Sequence, residues 1–177
     1  KGCRQSVLLG SAPLLKQEFG WYYQLEICET VEGWVGGLGL GVTKSSPQEI
    51  RRVPDKAWRM PNTFMIGYWG CVFLDGKERR TSWCAESLPT GASVGFLISN
   101  DGSGDLSVFV DGTRVVCIEG AMRDEIEPGL ELYPVVDVFA ATLAVRLLPH
   151  AKVPPPPWVR GEVTTTTSPT ASLVSAA

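Results

Sequence analysis

Apolar and polar side chains alternate strictly along residues 21–28. Trp21, Tyr23, Leu25 and Ile27 fall on one face, and Tyr22, Gln24, Glu26 and Cys28 on the other. A period of two predicts a half-buried antiparallel strand. The next segment sets Leu38, Leu40 and Val42 against Gly37, Gly39 and Gly41. One face is apolar and the other carries no side chains, which predicts a strand that a neighbouring backbone or loop can approach closely. Val94, Phe96 and Ile98 alternate with Ser93, Gly95 and Leu97, and Leu106, Val108 and Val110 form one row of the following strand. Residues 133–139 and 144–148 are β-branched or apolar enough to be central strands.

The punctuation between these segments agrees with that reading. Asp75-Gly76 and Asp111-Gly112 are hairpin signals, because both central residues of a type I′ turn need positive φ. The run Asn100-Asp101-Gly102-Ser103-Gly104 marks a longer connection. Turns at such short intervals suit a two-sheet sandwich better than alternating β-α units. Helix is expected only in single turns. Ser46-Pro47-Gln48-Glu49 has the order of a capping box with Pro in the first helical position, and Val53-Pro54 stops it. Residues 121–127 are a second such place.

Length and composition narrow this further. The 177 residues fit one domain, and 19 glycines with 13 prolines oppose long helices. Past residue 150 the character changes. Pro154 to Pro157 predict an extended stretch, and Thr164 to Thr167, Ser168-Pro169 and the Ala/Ser end hold too little apolar surface to pack. The expected organisation is a sandwich over residues 1–150 and a disordered Pro/Thr-rich tail over 151–177. The tail reads first as a spacer. The prolines as an SH3 or WW ligand and Ser168 as a phosphorylation site are secondary readings.

The net charge of −3 provides no basic footprint for nucleic acid or anionic lipid. No stretch is long and apolar enough to predict a membrane span. No secretory signal pattern follows Lys1, and the intracellular, cytoplasmic setting is expected from cysteines read as reduced thiols. The five cysteines (Cys3, Cys28, Cys71, Cys84 and Cys117) have no C-x-x-C pair, and the single histidine is His150. Reduced, mostly buried thiols are expected, with neither metal nor cofactor.

The order of short motifs resembles the Neuralized homology repeat, a member of the SPRY-like group. The matching pieces are Ser11-Ala12-Pro13-Leu14, the stretch from Glu32-Gly33-Trp34 to Gly41-Val42-Thr43, Ser46-Pro47, and Phe64-Met65-Ile66-Gly67. They continue with Asp75-Gly76-Lys77, Leu88-Pro89-Thr90-Gly91, Leu106 to Gly112, and Tyr133-Pro134-Val135-Val136-Asp137. The resemblance runs from about residue 6 to residue 148. It implies an all-β, concanavalin-like antiparallel sandwich that binds a protein or peptide. In Neuralized-type proteins such modules select substrates for ubiquitin ligases. The family usually opens with a further strand or two before the segment matching Val7 to Leu9, and it often carries Gly where this chain has Ala140. No RING or SOCS-box pattern is present, so ligase chemistry is not expected of this chain.

Candidate contact residues come from the hairpin geometry. Tyr68 and Trp69 are adjacent aromatics between two predicted strands, where the family usually has small residues. Chain reversal at Asp75-Gly76 brings residues 79–83 back to the same end. The predicted partner-binding rim is therefore Tyr68, Trp69, Trp83, Arg79 and Arg80. On that reading, alanine at both Tyr68 and Trp69 abolishes binding and leaves stability near wild type. Trp34 is expected to be a packed structural residue, and Asp137, inside an apolar strand, a buried hydrogen-bonded carboxylate. Arg51-Arg52 read as a solvated face. The alternative function is a carbohydrate-binding or glycoside-acting sandwich, with Trp69 and Trp83 stacking on sugar rings. Hydrolysis needs two carboxylates across a cleft, and no same-face pair stands on a predicted strand.

Overall fold

The computed structural model describes residues 3–31 and 37–158, so Trp34 and the Thr/Ser end of the chain lie outside the described residues. The strands are β1 (Cys3–Leu9), β2 (Gly20–Thr30), β3 (Gly37–Thr43), β4 (Thr63–Tyr68), β5 (Cys71–Leu74) and β6 (Lys77–Arg80). They continue as β7 (Ser93–Ser99), β8 (Leu106–Val110), β9 (Thr113–Ile118), β10 (Tyr133–Ala140) and β11 (Thr142–Leu147). They form a six-stranded sheet in the order β1-β10-β3-β4-β5-β6 and a five-stranded sheet in the order β11-β2-β7-β8-β9. The described pairings between these strands are antiparallel.

The alternation places the main core where it was predicted. Trp21, Tyr23, Leu25 and Ile27 of β2 meet Leu38, Leu40 and Val42 of β3 between the sheets, with Val94, Phe96 and Ile98 of β7 beside them. Tyr23 also ties the two layers together. Its hydroxyl donates to the Gly41 carbonyl at 3.0 Å and accepts the Gly41 N–H at 2.9 Å. Burial raises this phenol's pKa well above its ordinary value, so it remains a neutral donor.

The glycine face of β3 is covered by side chains and not by an approaching backbone alone. A Cβ on Gly37 would lie 2.3 Å from the Phe139 ring, and one on Gly39 would lie 2.3 Å from the Tyr68 hydroxyl. On Gly41 it would meet both the Phe64 carbonyl at 2.1 Å and the Met65 sulfur at 2.3 Å. Large side chains from β4 and β10 thus lie across the bare stripe. They form a second core with Ala57, Met60, Cys71, Phe73 and Val135, on the outer face of the six-stranded sheet.

Several expectations are corrected. β11 pairs with β2 alone among the described strands, so residues 144–148 form an edge strand and not a central one, and Leu147 is exposed. The reason is its place in the fold: β11 closes the sheet beside β2, whose other neighbour is β7. Of the four cysteines whose side chains are described, only Cys71 is buried; Cys28 is exposed and Cys84 and Cys117 are half-buried. The capping box forms as drawn, with the Ser46 N–H donating to Glu49 Oε2 at 3.0 Å. Short 3-10 turns follow at Ala57–Arg59 and Arg123–Glu125; the sequence pattern had indicated only the second. Residues 151–158, read as the start of a loose tail, lie against the five-stranded sheet with Val153 buried.

Ala140, flagged by its family position, has φ of 52°. A non-glycine residue there carries about 1–2 kcal/mol of left-handed strain. Ala140→Gly is expected to stabilise the domain by about 1 kcal/mol, part of the gain being lost to the freer unfolded chain. Urea unfolding of the two proteins measures it. A loss would mean that the methyl's packing beside Phe139 outweighs the strain.

Candidate functional site

The β4–β5 hairpin carries the candidate site, and a bulge sets its geometry. The register shifts between Ile66 and Tyr68, and Gly67 has φ of 111°. Without that shift Tyr68 would share the inward face of Ile66. The extra residue turns it outward, to the side of Met65. There Tyr68 is completely buried. Its ring stacks on Phe139 at 5.3 Å and meets Phe73 edge-on at 5.8 Å. Its hydroxyl donates to Asp137 Oδ2 at 2.8 Å, and the same oxygen accepts the Ala57 N–H at 3.1 Å. Burial, and then the neighbouring carboxylate, raise the Tyr68 pKa far above its ordinary value. Tyr68 is therefore a core residue and not a contact residue. The Tyr68/Trp69 double alanine is therefore expected to lose stability and not to keep the wild-type value. Asp137 is the buried, hydrogen-bonded carboxylate that its position in β10 predicted.

Trp69 is different. It and Gly70 form the two-residue turn between β4 and β5, with φ of 45° and 67°. The turns Asp75-Gly76 and Asp111-Gly112 have nearly the same φ values, with the residue types such turns prefer. In those, the Asp carboxylate also accepts a backbone N–H, from Asn62 and Ser93 respectively, each at 2.8 Å. Trp69 has no such compensation from its side chain. It remains 55% exposed, with one edge of its ring resting near Phe139 at 5.7 Å. A bulky residue held left-handed and displayed to solvent is the kind of backbone outlier that concentrates at functional positions.

The chain reversal puts the remaining predicted residues at this end but on different faces. Arg80 lies opposite Cys71, and Arg79 lies opposite Val72. Cys71 belongs to the outer cluster and Val72 to the core between the sheets. Cross-strand partners share a face, so Arg80 stands on the side of Tyr68 and Phe73, and Arg79 on the other. Trp83 is half-buried against the inter-sheet core. Of the five predicted residues, Trp69 and Arg80 thus share one exposed face.

Sequence reasoning missed Trp58. It stacks on Phe73 at 4.8 Å, with Arg59 and Lys56 over its ring at 5.1 and 5.7 Å. Its signal was Lys56-Ala57-Trp58-Arg59, an aromatic between cations after a capped turn. Together Trp58, Phe73, Tyr68 and Trp69 form a continuous run of aromatic contacts along the outer face. Among the described residues, no group of three or more His, Cys, Asp or Glu is placed to hold a metal ion. No described helix is long and apolar enough to cross a membrane.

The sequence model of the Neuralized family matches residues 3–149. The chain belongs to the Neuralized family. Domains of this family and of the SPRY-like group are protein-interaction modules. The fold of this Neuralized-family domain is similar to that of the NHR1 domain of Neuralized from Drosophila melanogaster, with a TM-score of 0.56 at 15% identity over 80% of this chain and 78% of that one. A solution structure of the NHR domain in Drosophila Neuralized gives 0.54 at 14% identity, covering 80% and 73%. The SPRY domain of human HERC1 gives 0.53 at 16% identity, covering 82% of each chain. At these identities the likeness concerns the sandwich and not particular side chains.

Proposed function

We propose that this Neuralized-family domain recognises a protein partner through the outer face of the six-stranded sheet, with Trp69 as anchor and Arg80 on the same face, and that it thereby selects substrates for a ubiquitin ligase. The observation that carries the reading is Trp69 itself, a strained and exposed indole at a turn where Asn or Asp would fit without cost. Arg80 on that face favours a partner segment that pairs an apolar side chain with an acidic one. The intracellular setting belongs to the same proposal.

Trp69→Asn separates function from stability. Asn-Gly suits a type I′ turn, so the variant is expected to gain about 1 kcal/mol of stability. Loss of an aromatic anchor is expected to weaken partner binding by about 2 kcal/mol or more, roughly thirtyfold. Partner capture with wild type and variant, beside their unfolding curves, reads both quantities. Unchanged capture by a stabilised variant would remove Trp69 from the site. Binding of glycans and of no protein would replace the proposal with the carbohydrate reading.

A further inference from the structure

The outer face of the five-stranded sheet carries a second arrangement, independent of the Trp69 surface. The outward face of an antiparallel sheet is commonly polar. Here it presents Tyr22, Leu97 and Phe109, all buried. Their cover is the segment 151–158, which is not held by strand pairing. It is held at two anchor points and by one amide. Gln17 Nε2 donates to the Ala151 carbonyl at 3.0 Å, and Gln17 Oε1 accepts the Val153 N–H at 3.4 Å. One side chain thus reads the backbone of alternate residues, as an edge strand would. Val153 fills the first pocket and is 8% exposed. Trp158 fills the second, edge-on to Phe19 and to Phe109, each at 5.7 Å, with the Arg114 guanidinium 5.3 Å from its ring centre. Its indole N–H returns to the Pro154 carbonyl at 2.7 Å. Pro155, Pro156 and Pro157 between the anchors face solvent.

This is how a groove holds a short linear motif. Backbone bonds fix register, two side-chain pockets give specificity, and the intervening residues are free to vary. A cleft of about 410 Å³ lies between the start of the segment and residues 15–19, and none of Tyr22, Leu97 and Phe109 lines it.

We infer that this face is a peptide-binding groove, with residues 151–158 as its resident intramolecular ligand. Its external ligand is a proline-containing segment of a partner protein with an apolar residue and, five positions later, a tryptophan whose indole returns to the backbone four residues before it. Tethering gives the resident segment a high effective concentration, so a free peptide competes poorly until the tether is released.

The test uses the full chain, wild type and W158A, and a labelled synthetic peptide with the sequence of residues 151–158. The peptide is expected to bind W158A at least about tenfold more tightly than wild type. The same peptide with alanine in place of its tryptophan is expected to bind neither. Adding Q17A to W158A is expected to weaken binding again. Val153→Asp loosens the segment from its other anchor and replaces W158A if that variant does not fold. Equal affinity for wild type and the loosened chain, or a folded loosened chain that binds no peptide, overturns the inference and leaves the segment a structural strap. A wild-type dimer that exchanges residues 151–158 overturns it in favour of a second copy as the occupant.

Discussion

Asp137→Ala is expected to lower the stability of the domain by about 3–5 kcal/mol. Asp137 sits fully buried on β10, between β1 and β3. Its Oδ2 accepts from the Tyr68 hydroxyl and from the Ala57 N–H. Alanine leaves both donors buried and unmet, at about 1–3 kcal/mol each. Most single domains have only about 5–15 kcal/mol of stability in total. A loss of this size lowers the melting temperature of a domain this long by roughly 10 °C. Asp137→Asn keeps an acceptor and should lose much less. Tyr68→Phe removes one donor together with its bond and should fall between them. The double variant D137A/Y68F should cost less than the sum of its parts, since the phenylalanine leaves no hydroxyl to be stranded. Thermal and urea unfolding of the four proteins test this. If D137A stays within about 1 kcal/mol of wild type, the carboxylate does not hold the Ala57 turn to the sheet.

That network shows which parts of the molecule were legible in the sequence. The inter-sheet core was readable because period two sorts Trp21, Tyr23, Leu25 and Ile27 from their neighbours without knowledge of any partner strand. The Asp-Gly hairpins were readable because positive φ demands particular residue types. Tyr68 was not. Two adjacent aromatics in an unbroken strand face opposite ways, but here the bulge and the turn put both against Phe139 on the outer face, with Tyr68 buried and Trp69 exposed. The outcome depended on a bulge at Gly67; an isolated glycine in a strand pattern is a bulge signal, but it does not say which neighbour is turned over. The division between Arg79 and Arg80 was legible, since the two-residue Asp75-Gly76 turn fixes the register and period two puts adjacent arginines on opposite faces. Trp158 was read as part of a loose tail because the prolines before it dominate local composition. Its pocket is assembled from Phe19, Phe109 and Arg114, distant in sequence. The glycine face of β3 was recognised as bare, but its occupants come from β4 and β10.

Gly39→Ala addresses those occupants directly and is expected to be nearly as damaging as loss of Asp137. The new Cβ would stand 2.3 Å from the Tyr68 hydroxyl oxygen and 2.4 Å from its ring carbon. A flexible side chain could swing away at little cost. Tyr68 cannot, because its ring is stacked on Phe139, abutted by Phe73 and tied to Asp137. Either β3 moves away from β4, or the ring shifts and the hydrogen bond to Asp137 breaks. Overpacking alone costs about 1–3 kcal/mol. Loss of the bond adds about 1–3 kcal/mol more, because the hydroxyl is left buried without an acceptor. Gly39 has no positive φ, so backbone strain is not the cause, and the collision alone sets the sign. Tyr68→Leu should then behave differently in the two backgrounds. In the wild-type chain it removes a packed ring and destabilises. In G39A it also removes the collision, so the double variant should be at least about 1 kcal/mol more stable than the two single losses predict. Additive losses in unfolding measurements would show that the added methyl is accommodated by movement of β3, and that the glycine stripe is not there to seat the ring.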